Sequence, residues 1–196
     1  MPCSPISSTS RLARAGVLAV WVALAGAAAA ADDAAAPPSF VRQALPAAAL
    51  LGQGQMRFLG LRIYDARLWA GPQFKAADFG DYRLALELSY HRTFKGTAIA
   101  QRSIDEIERQ GELTPAQAQR WLNVLTALLP DVQSGDRLTG LYQPGQGMRF
   151  WRGEQLLGAT EDAELARRFF AIWLSPRTSE PGLRSALLAR RSESGP

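Results

Sequence analysis

The segment YRLALELSYHR, residues 82–92, decides the fold class because its side chains alternate in character. From residue 82 to residue 90 the even-numbered positions carry leucine or tyrosine, whereas the odd-numbered positions from 83 to 91 carry mostly polar or charged side chains. Successive side chains of a β-strand point to opposite faces, so the pattern predicts a half-buried strand. Its apolar row ends in Tyr90, and the only histidine of the chain, His91, stands next to it.

The rest of the chain adds helices and further strands. Residues 52–69 predict a strand, with Gly60 as a bulge or a point of close approach. Thr114 before Pro115 is typical of a helix start. The other predicted elements are strands at 137–142, 148–151 and 155–158 and helices at 96–110, 160–174 and 183–189. Strands on both sides of helices predict an α+β fold, with an antiparallel sheet and helices packed on one face.

The first 31 residues have the features of a cleaved export signal. Arg11 and Arg14 precede a short apolar run at 15–26, and small residues before Asp32 offer cleavage sites. The apolar run is too short to span a bilayer. We therefore expect a periplasmic or secreted protein, with no membrane anchor after signal cleavage.

Composition excludes several classes of function. The chain is 47% apolar and 20% charged, which is typical of a soluble globular domain. Part of its net charge of +4 comes from Arg11 and Arg14, and no basic stripe follows, so we expect no nucleic-acid partner. Cys3 is the only cysteine and lies in the leader. Together with the single histidine this predicts no disulfide, no metal site and no cofactor.

Two features that could indicate catalysis have simpler explanations. His91 lies on the polar face of the predicted strand, and we expect it to be solvated. The Gly52-x-Gly54 pair precedes a strand instead of following one, so it predicts a turn rather than a dinucleotide-binding loop.

Several segments, taken together, resemble the bacterial exported branch of the chalcone isomerase-like family. The resemblance runs over about residues 45–189 and rests on GQGQMRFLGLRIYDARLW, LALELSYHR, FKGTAIAQRSIDEIERQG, LLPDVQSGDRLTGLYQPGQGMRFWRGEQLLG and RRFFAIWLSPRTSEPGLRSALLA. It implies an open-faced β-sandwich, in which a large antiparallel sheet is covered on one face by helices above a ligand cleft. It also implies one of two activities, because some members close a chalcone ring whereas others bind fatty acids.

The resemblance and the strand pattern together give the candidate ligand-binding residues. Tyr64 matches the strand tyrosine of the fatty-acid binding members, and Arg57 is the nearest match to their arginine. A separation of seven places these two on opposite faces of a regular strand, so only a bulge would bring them together. Arg92 is the alternative cation, and Tyr90 is expected at the mouth of the cleft. Leu59 replaces the strand threonine of the plant enzymes, which argues against an isomerase.

Three functions follow as hypotheses. The first is a non-catalytic binder of a small amphipathic anion such as a fatty acid, held by Tyr64 with Arg57 or Arg92. The second is an intramolecular lyase or isomerase acting on a chalcone-like phenol or enone, and the third is a protein-interaction module. We expect a signal peptide at 1–31, a linker at 32–44, one domain at 45–190 and a disordered tail at 191–196.

Overall fold

The structure is a computed structural model that describes residues 36–189. The predicted signal peptide, the start of the predicted linker and the predicted tail lie outside the described residues. Across residues 36–189, no helix combines the length and the hydrophobicity needed to cross a bilayer. In chain order the elements are α1 (Ser39–Ala44), β1 (Ala49–Phe58), β2 (Leu61–Ala70), a 3-10 helix (Ala76–Asp81), β3 (Leu84–Tyr90), α2 (Gly96–Gln110), α3 (Pro115–Leu128), β4 (Arg137–Gln143), β5 (Gly147–Arg152), β6 (Gln155–Thr160), α4 (Ala163–Leu174) and α5 (Pro181–Leu188).

The strands form one antiparallel sheet in the order β1-β2-β3-β4-β5-β6, and each strand pairs with the next along the chain. Helices α2 to α5 cover one face of this sheet, and most of the core lies between the two layers. Thr114 caps α3 as predicted, because its hydroxyl accepts a hydrogen bond from the backbone N–H of Gln117 at 3.2 Å. The predicted α+β architecture is therefore confirmed.

Residues 52–69 form two strands and not the single strand that was predicted. Leu59 and Gly60 turn the chain with φ of 49° and 78°, and Phe58 pairs directly with Leu61. Positive φ at both central positions is typical of a two-residue hairpin turn. Gly60 is therefore a turn residue, and the bulge lies instead after Met56, where the register of β1 against β2 shifts.

Gly52 and Gly54 do not form the predicted turn, and instead they lie where a helix packs closely against β1. Both residues lie inside β1, where α5 crosses the strand. A Cβ atom at Gly52 would stand 2.3 Å from the carbonyl oxygen of Ala186, and one at Gly54 would stand 2.7 Å from the side chain of Leu183. Glycine is required here because only a bare backbone lets the helix approach this closely.

The second face of the sheet is partly covered as well. Helix α1 lies within the predicted linker, and its Val41 is fully buried. The ring of Phe40 stacks on Trp151 with centroids 4.3 Å apart. Strand β3 is consequently buried on both faces, since Ala85 and Glu87 on its polar face are also buried. The prediction of a half-buried strand was wrong because the sequence pattern did not reveal this second cover.

Candidate ligand-binding site

A cavity of about 350 Å³ lies between the helix-covered face of the sheet and helices α2 and α4. Its volume falls within the range of about 300–1,000 Å³ that is common for small-molecule sites. A Cβ atom at Gly140 would stand 3.0 Å from Phe170 and 3.2 Å from Phe150, so both rings pack closely on the backbone of this glycine in the cavity wall. The wall is mostly apolar and includes Leu86, Leu88, Leu138, Phe150, Phe169 and Ile172.

Two tyrosines from neighbouring strands line this apolar wall. Tyr64 on β2 pairs directly with Tyr90 on β3, and their rings meet edge to face with centroids 5.8 Å apart. The hydroxyl of Tyr64 accepts a hydrogen bond from the indole N–H of Trp173 at 3.0 Å. Within residues 36–189, the hydroxyl of Tyr90 has no hydrogen-bond partner, although Tyr90 is only 4% exposed. Tyr90 therefore lies deeper than the mouth position that the sequence predicted.

Both tyrosine hydroxyls stay protonated at neutral pH. Burial raises the pKa of Tyr64 to about 12, and the hydrogen bond from Trp173 opposes part of this rise. The carboxylates of Glu180 and Glu106 raise it further, whereas Arg102 lowers it. Burial also raises the pKa of Tyr90, with a smaller contribution from Tyr64. Each hydroxyl is thus a neutral O–H donor, and a ligand oxygen could accept a hydrogen bond from either.

The charged groups of the cavity wall come from α2 and from the segment before α5. Arg102 and Glu106 line the cavity and form an ion pair, with Nη2 2.5 Å from Oε1. Arg109 also contacts Glu106, through Nε at 3.3 Å from Oε2, but it is not part of the wall. Glu106 is buried, and these two arginines offset its charge. Arg102 retains further N–H donors for a ligand, because a guanidinium has five.

A comparison of the sequence with models of protein families identifies the family of this chain. A model described as chalcone isomerase-like matches residues 73–189, which is more than half of the chain. The chain belongs to the chalcone isomerase-like family. No curated protein matches it significantly. A solved structure that resembles it is a fatty-acid binding protein of Arabidopsis thaliana, with a TM-score of 0.56, 14% identity, and coverage of 73% of this chain and 87% of the other. At that identity the likeness shows the shared fold.

In this chalcone isomerase-like domain, two of the four predicted site residues line the cavity. Tyr64 and Tyr90 do so, and Arg57 and Arg92 do not. Arg57 is exposed at the end of β1 and donates a hydrogen bond from Nη1 to the carbonyl oxygen of Gly60 at 3.3 Å. Arg92 is exposed just beyond β3. The role of each of the four in ligand binding stays a prediction.

The bulge in the β1–β2 hairpin explains why Arg57 points away from the cavity. Met56 pairs directly with Tyr64 and lines the cavity, whereas Arg57 pairs with Arg62 after the register shift. The family match begins at residue 73, so it does not include this hairpin. The cation of the cavity wall is supplied by α2 through Arg102, which sequence reasoning missed. Its one local signal is the spacing Arg102-x₃-Glu106-x₂-Arg109, which places all three on one side of a helix.

His91 has a partner rather than being simply solvated. Its Nε2 lies 2.8 Å from a carboxylate oxygen of Asp65, and the pair sits on β2 and the segment after β3. Asp65 also accepts hydrogen bonds from Gln55 at 2.8 Å and from Arg62 at 3.1 Å. These contacts lower the pKa of Asp65 although burial opposes the shift. The Asp65 cluster lies outside the cavity wall and links β1, β2 and the segment after β3.

Proposed function

We propose that the protein is a non-catalytic binder of a small amphipathic anion, with a fatty acid as the representative ligand. The observation that carries this proposal is the pair Tyr64 and Tyr90, two protonated hydroxyls set in a mostly apolar cavity. The likeness to a fatty-acid binding protein of the same fold supports the choice of ligand class.

The cavity wall suits the two ends of such a ligand differently. Burial of a hydrocarbon chain against leucine and phenylalanine side chains contributes about 25 cal/mol per Å² of apolar surface. The tyrosine hydroxyls and the unused N–H groups of Arg102 would then hold the carboxylate. Glu106 does not prevent this, because Arg102 and Arg109 offset its charge. Glu180 also lines the cavity, so we expect the anionic end to lie nearer to Arg102 than to Glu180.

The test is a binding titration of the purified protein with a fluorescent polyene fatty acid, preceded by native mass spectrometry to detect any co-purified ligand. Tyr90→Phe should weaken binding about tenfold, because a hydrogen bond to a charged group contributes roughly 1.5–3 kcal/mol. Tyr82→Phe is the matched control, since Tyr82 lies outside the cavity wall.

Absence of saturable binding of the fatty acid to the wild-type protein would contradict the proposal. Equal affinities of Tyr90→Phe and Tyr82→Phe for the fatty acid would contradict it as well. A chalcone-like substrate is added in a parallel assay. Turnover that Tyr64→Phe or Tyr90→Phe abolishes would favour the isomerase hypothesis, because the same O–H donors could stabilise an oxyanion.

We further propose that the protein belongs to an exported branch of its family and acts in the periplasm or outside the cell. The support is the arrangement of Arg11, Arg14 and the apolar run at 15–26 before small residues. Expression of the 196-residue chain in a Gram-negative host, followed by cell fractionation and intact-mass measurement, tests this. Recovery of an unprocessed chain from the cytoplasm would contradict it.

A further inference from the structure

The tip of the β1–β2 hairpin exposes three large apolar side chains in one short stretch. Phe58 is 58% exposed, Leu59 is 85% exposed and Leu61 is 47% exposed. Single exposed hydrophobic residues are common on proteins, but a contiguous group marks a surface that contacts something else. We refer to residues 58–61 as the hairpin tip.

The fold itself gives no reason for a leucine at position 59. Leu59 has a φ of 49°, and it is the non-glycine residue with positive φ in the described part of the chain. Two-residue hairpin turns of this kind favour glycine, asparagine or aspartate at that position, because a Cβ atom crowds the backbone there and only the short polar side chains of asparagine and aspartate offset this by local hydrogen bonds. The packing of the chain therefore does not account for a leucine here, which points to a contact outside the folded chain.

Positive charge surrounds the hairpin tip. Arg57 and Arg62 flank it directly, and residues 57–62 contain no acidic side chain. Arg62 pairs with Asp65 at 3.1 Å, whereas Arg57 makes no ion pair within residues 36–189. Arg92 is also exposed and follows His91, whose backbone N–H donates to the carbonyl oxygen of Ile63 at 2.9 Å. Apolar side chains between arginines are complementary to the surface of an anionic bilayer.

The hairpin tip is continuous with the cavity. Phe58 belongs to both, and Met56 and Ile63 on the same hairpin line the cavity wall. Leu59 and Leu61 are not part of that wall, so a ligand bound in the cavity would not contact them. Any surface that contacts the hairpin tip would therefore lie next to the cavity.

We infer that the hairpin tip docks the protein on anionic lipid bilayers by inserting Phe58, Leu59 and Leu61 between head groups. Docking would bring the cavity to the membrane surface, where an amphipathic ligand could enter or leave. This passage of ligand rests on the proposed function, whereas docking does not. A stable protein partner is a poorer fit, because three side chains fall short of the roughly 1,000 Å² that specific interfaces bury.

The test places an environment-sensitive fluorophore at the tip of the full chain. Cys3→Ser removes the native thiol, and Leu59→Cys provides the labelling site. Gln146→Cys, in the turn between β4 and β5, is the matched control because it lies in an exposed turn at the other end of the sheet. Each labelled protein is mixed with vesicles of phosphatidylcholine alone or with added phosphatidylglycerol. Comparing positions 59 and 146 separates insertion of the hairpin tip from membrane binding by the N-terminal apolar segment.

We expect a blue shift and an intensity increase at position 59 with phosphatidylglycerol vesicles, and no change at position 146. Introducing Arg57→Glu into the protein labelled at position 59 should weaken its binding to these vesicles about tenfold or more. Each basic residue near an anionic surface contributes favourably to the binding free energy, and the substitution replaces an attraction by a repulsion. An unchanged spectrum at position 59, or equal responses at both positions, would overturn the inference. A shift at position 59 that grows with protein concentration without vesicles would overturn it too, since a second copy would then cover the tip.

Discussion

Trp173 on α4 donates its indole N–H to the hydroxyl of Tyr64 on β2, with Nε1 and Oη 3.0 Å apart. The two residues are 109 positions apart in the chain, and both line the cavity. Their hydrogen bond therefore ties the helical layer to the sheet at the ligand site. It uses a lone pair of Tyr64 and leaves the hydroxyl proton free to donate.

Trp173→Phe should weaken this connection in two measurable ways. The free energy of unfolding should fall by about 1–3 kcal/mol, because a buried hydrogen bond and part of an aromatic ring are lost. The pKa of Tyr64 should rise further, because the bond from Trp173 favours the tyrosinate. Urea unfolding and spectrophotometric tyrosine titration measure these effects. Trp151→Phe, on the second face of the sheet, is the control, and an equal change in tyrosine titration there would contradict the assignment.

Stability should decline in alkaline solution because of Tyr64. Its pKa is 10.0 in a model compound and about 12 in the fold, so the folded state binds its proton more tightly. The associated stability is fully present below pH 10 and is lost as the pH rises through about 12. The loss should approach about 3 kcal/mol, since one pKa unit corresponds to about 1.4 kcal/mol. Urea unfolding across this range should show a shallower pH dependence for Tyr64→Phe, and identical slopes would contradict the explanation.

Variants of Arg102 and Arg109 can show where the carboxylate of a bound fatty acid lies, because both arginines contact Glu106 and only Arg102 lines the cavity. Both contact the buried Glu106, and their side chains are 65% and 55% exposed, so replacing either leaves the carboxylate with one cationic partner and should cost a similar amount of stability. Arg102→Gln should weaken fatty-acid binding about tenfold, because a charge-assisted hydrogen bond is lost. Arg109→Gln should bind like the wild type, and a fatty alcohol should bind both variants alike. If Arg57→Gln weakens binding while Arg102→Gln does not, the sequence-based hypothesis for Arg57 is the better one.

Local signals were enough to predict most elements. The alternation in residues 82–92 identified β3, and the bounds of α2 agree with those predicted at 96–110. Thr114 and Pro115 located the start of α3, because capping depends on residues adjacent in sequence. The family resemblance supplied the arrangement of these elements, and the family match supports it over residues 73–189.

Features that depend on distant contacts could not be predicted in the same way. The turn at Leu59 and Gly60 lacks the asparagine that is usual in such turns. Apolar residues on both sides of the turn continue the strand pattern, so the sequence predicted one strand where the structure has two. Helix α1 depends on packing against Trp69 and Trp151, which the alanine- and proline-rich sequence around it does not indicate. Arg102 reaches the cavity because α2 packs beside α4 at the cavity wall, and no local pattern specifies that arrangement.

Gly52→Ala should destabilise the fold through the contact between β1 and α5. The added methyl would stand 2.3 Å from the carbonyl oxygen of Ala186 and 2.4 Å from that of Leu187. Helix backbone cannot move aside as a flexible side chain can, so we expect a loss of about 3 kcal/mol in unfolding free energy. Gly71→Ala is the control, because nothing lies within 4 Å of its added methyl and its φ is not positive.

The same substitution links this contact to the ligand site. Glu180 precedes α5 directly and lines the cavity, so displacement of α5 would move one wall. Gly52→Ala should therefore weaken fatty-acid binding at temperatures where the variant is still folded, whereas Gly71→Ala should bind like the wild type. Thermal unfolding and the fluorescent titration, performed on both variants, measure the two effects. Wild-type stability in Gly52→Ala would show that α5 does not pack on β1 at this distance, because no side-chain movement could relieve the contact.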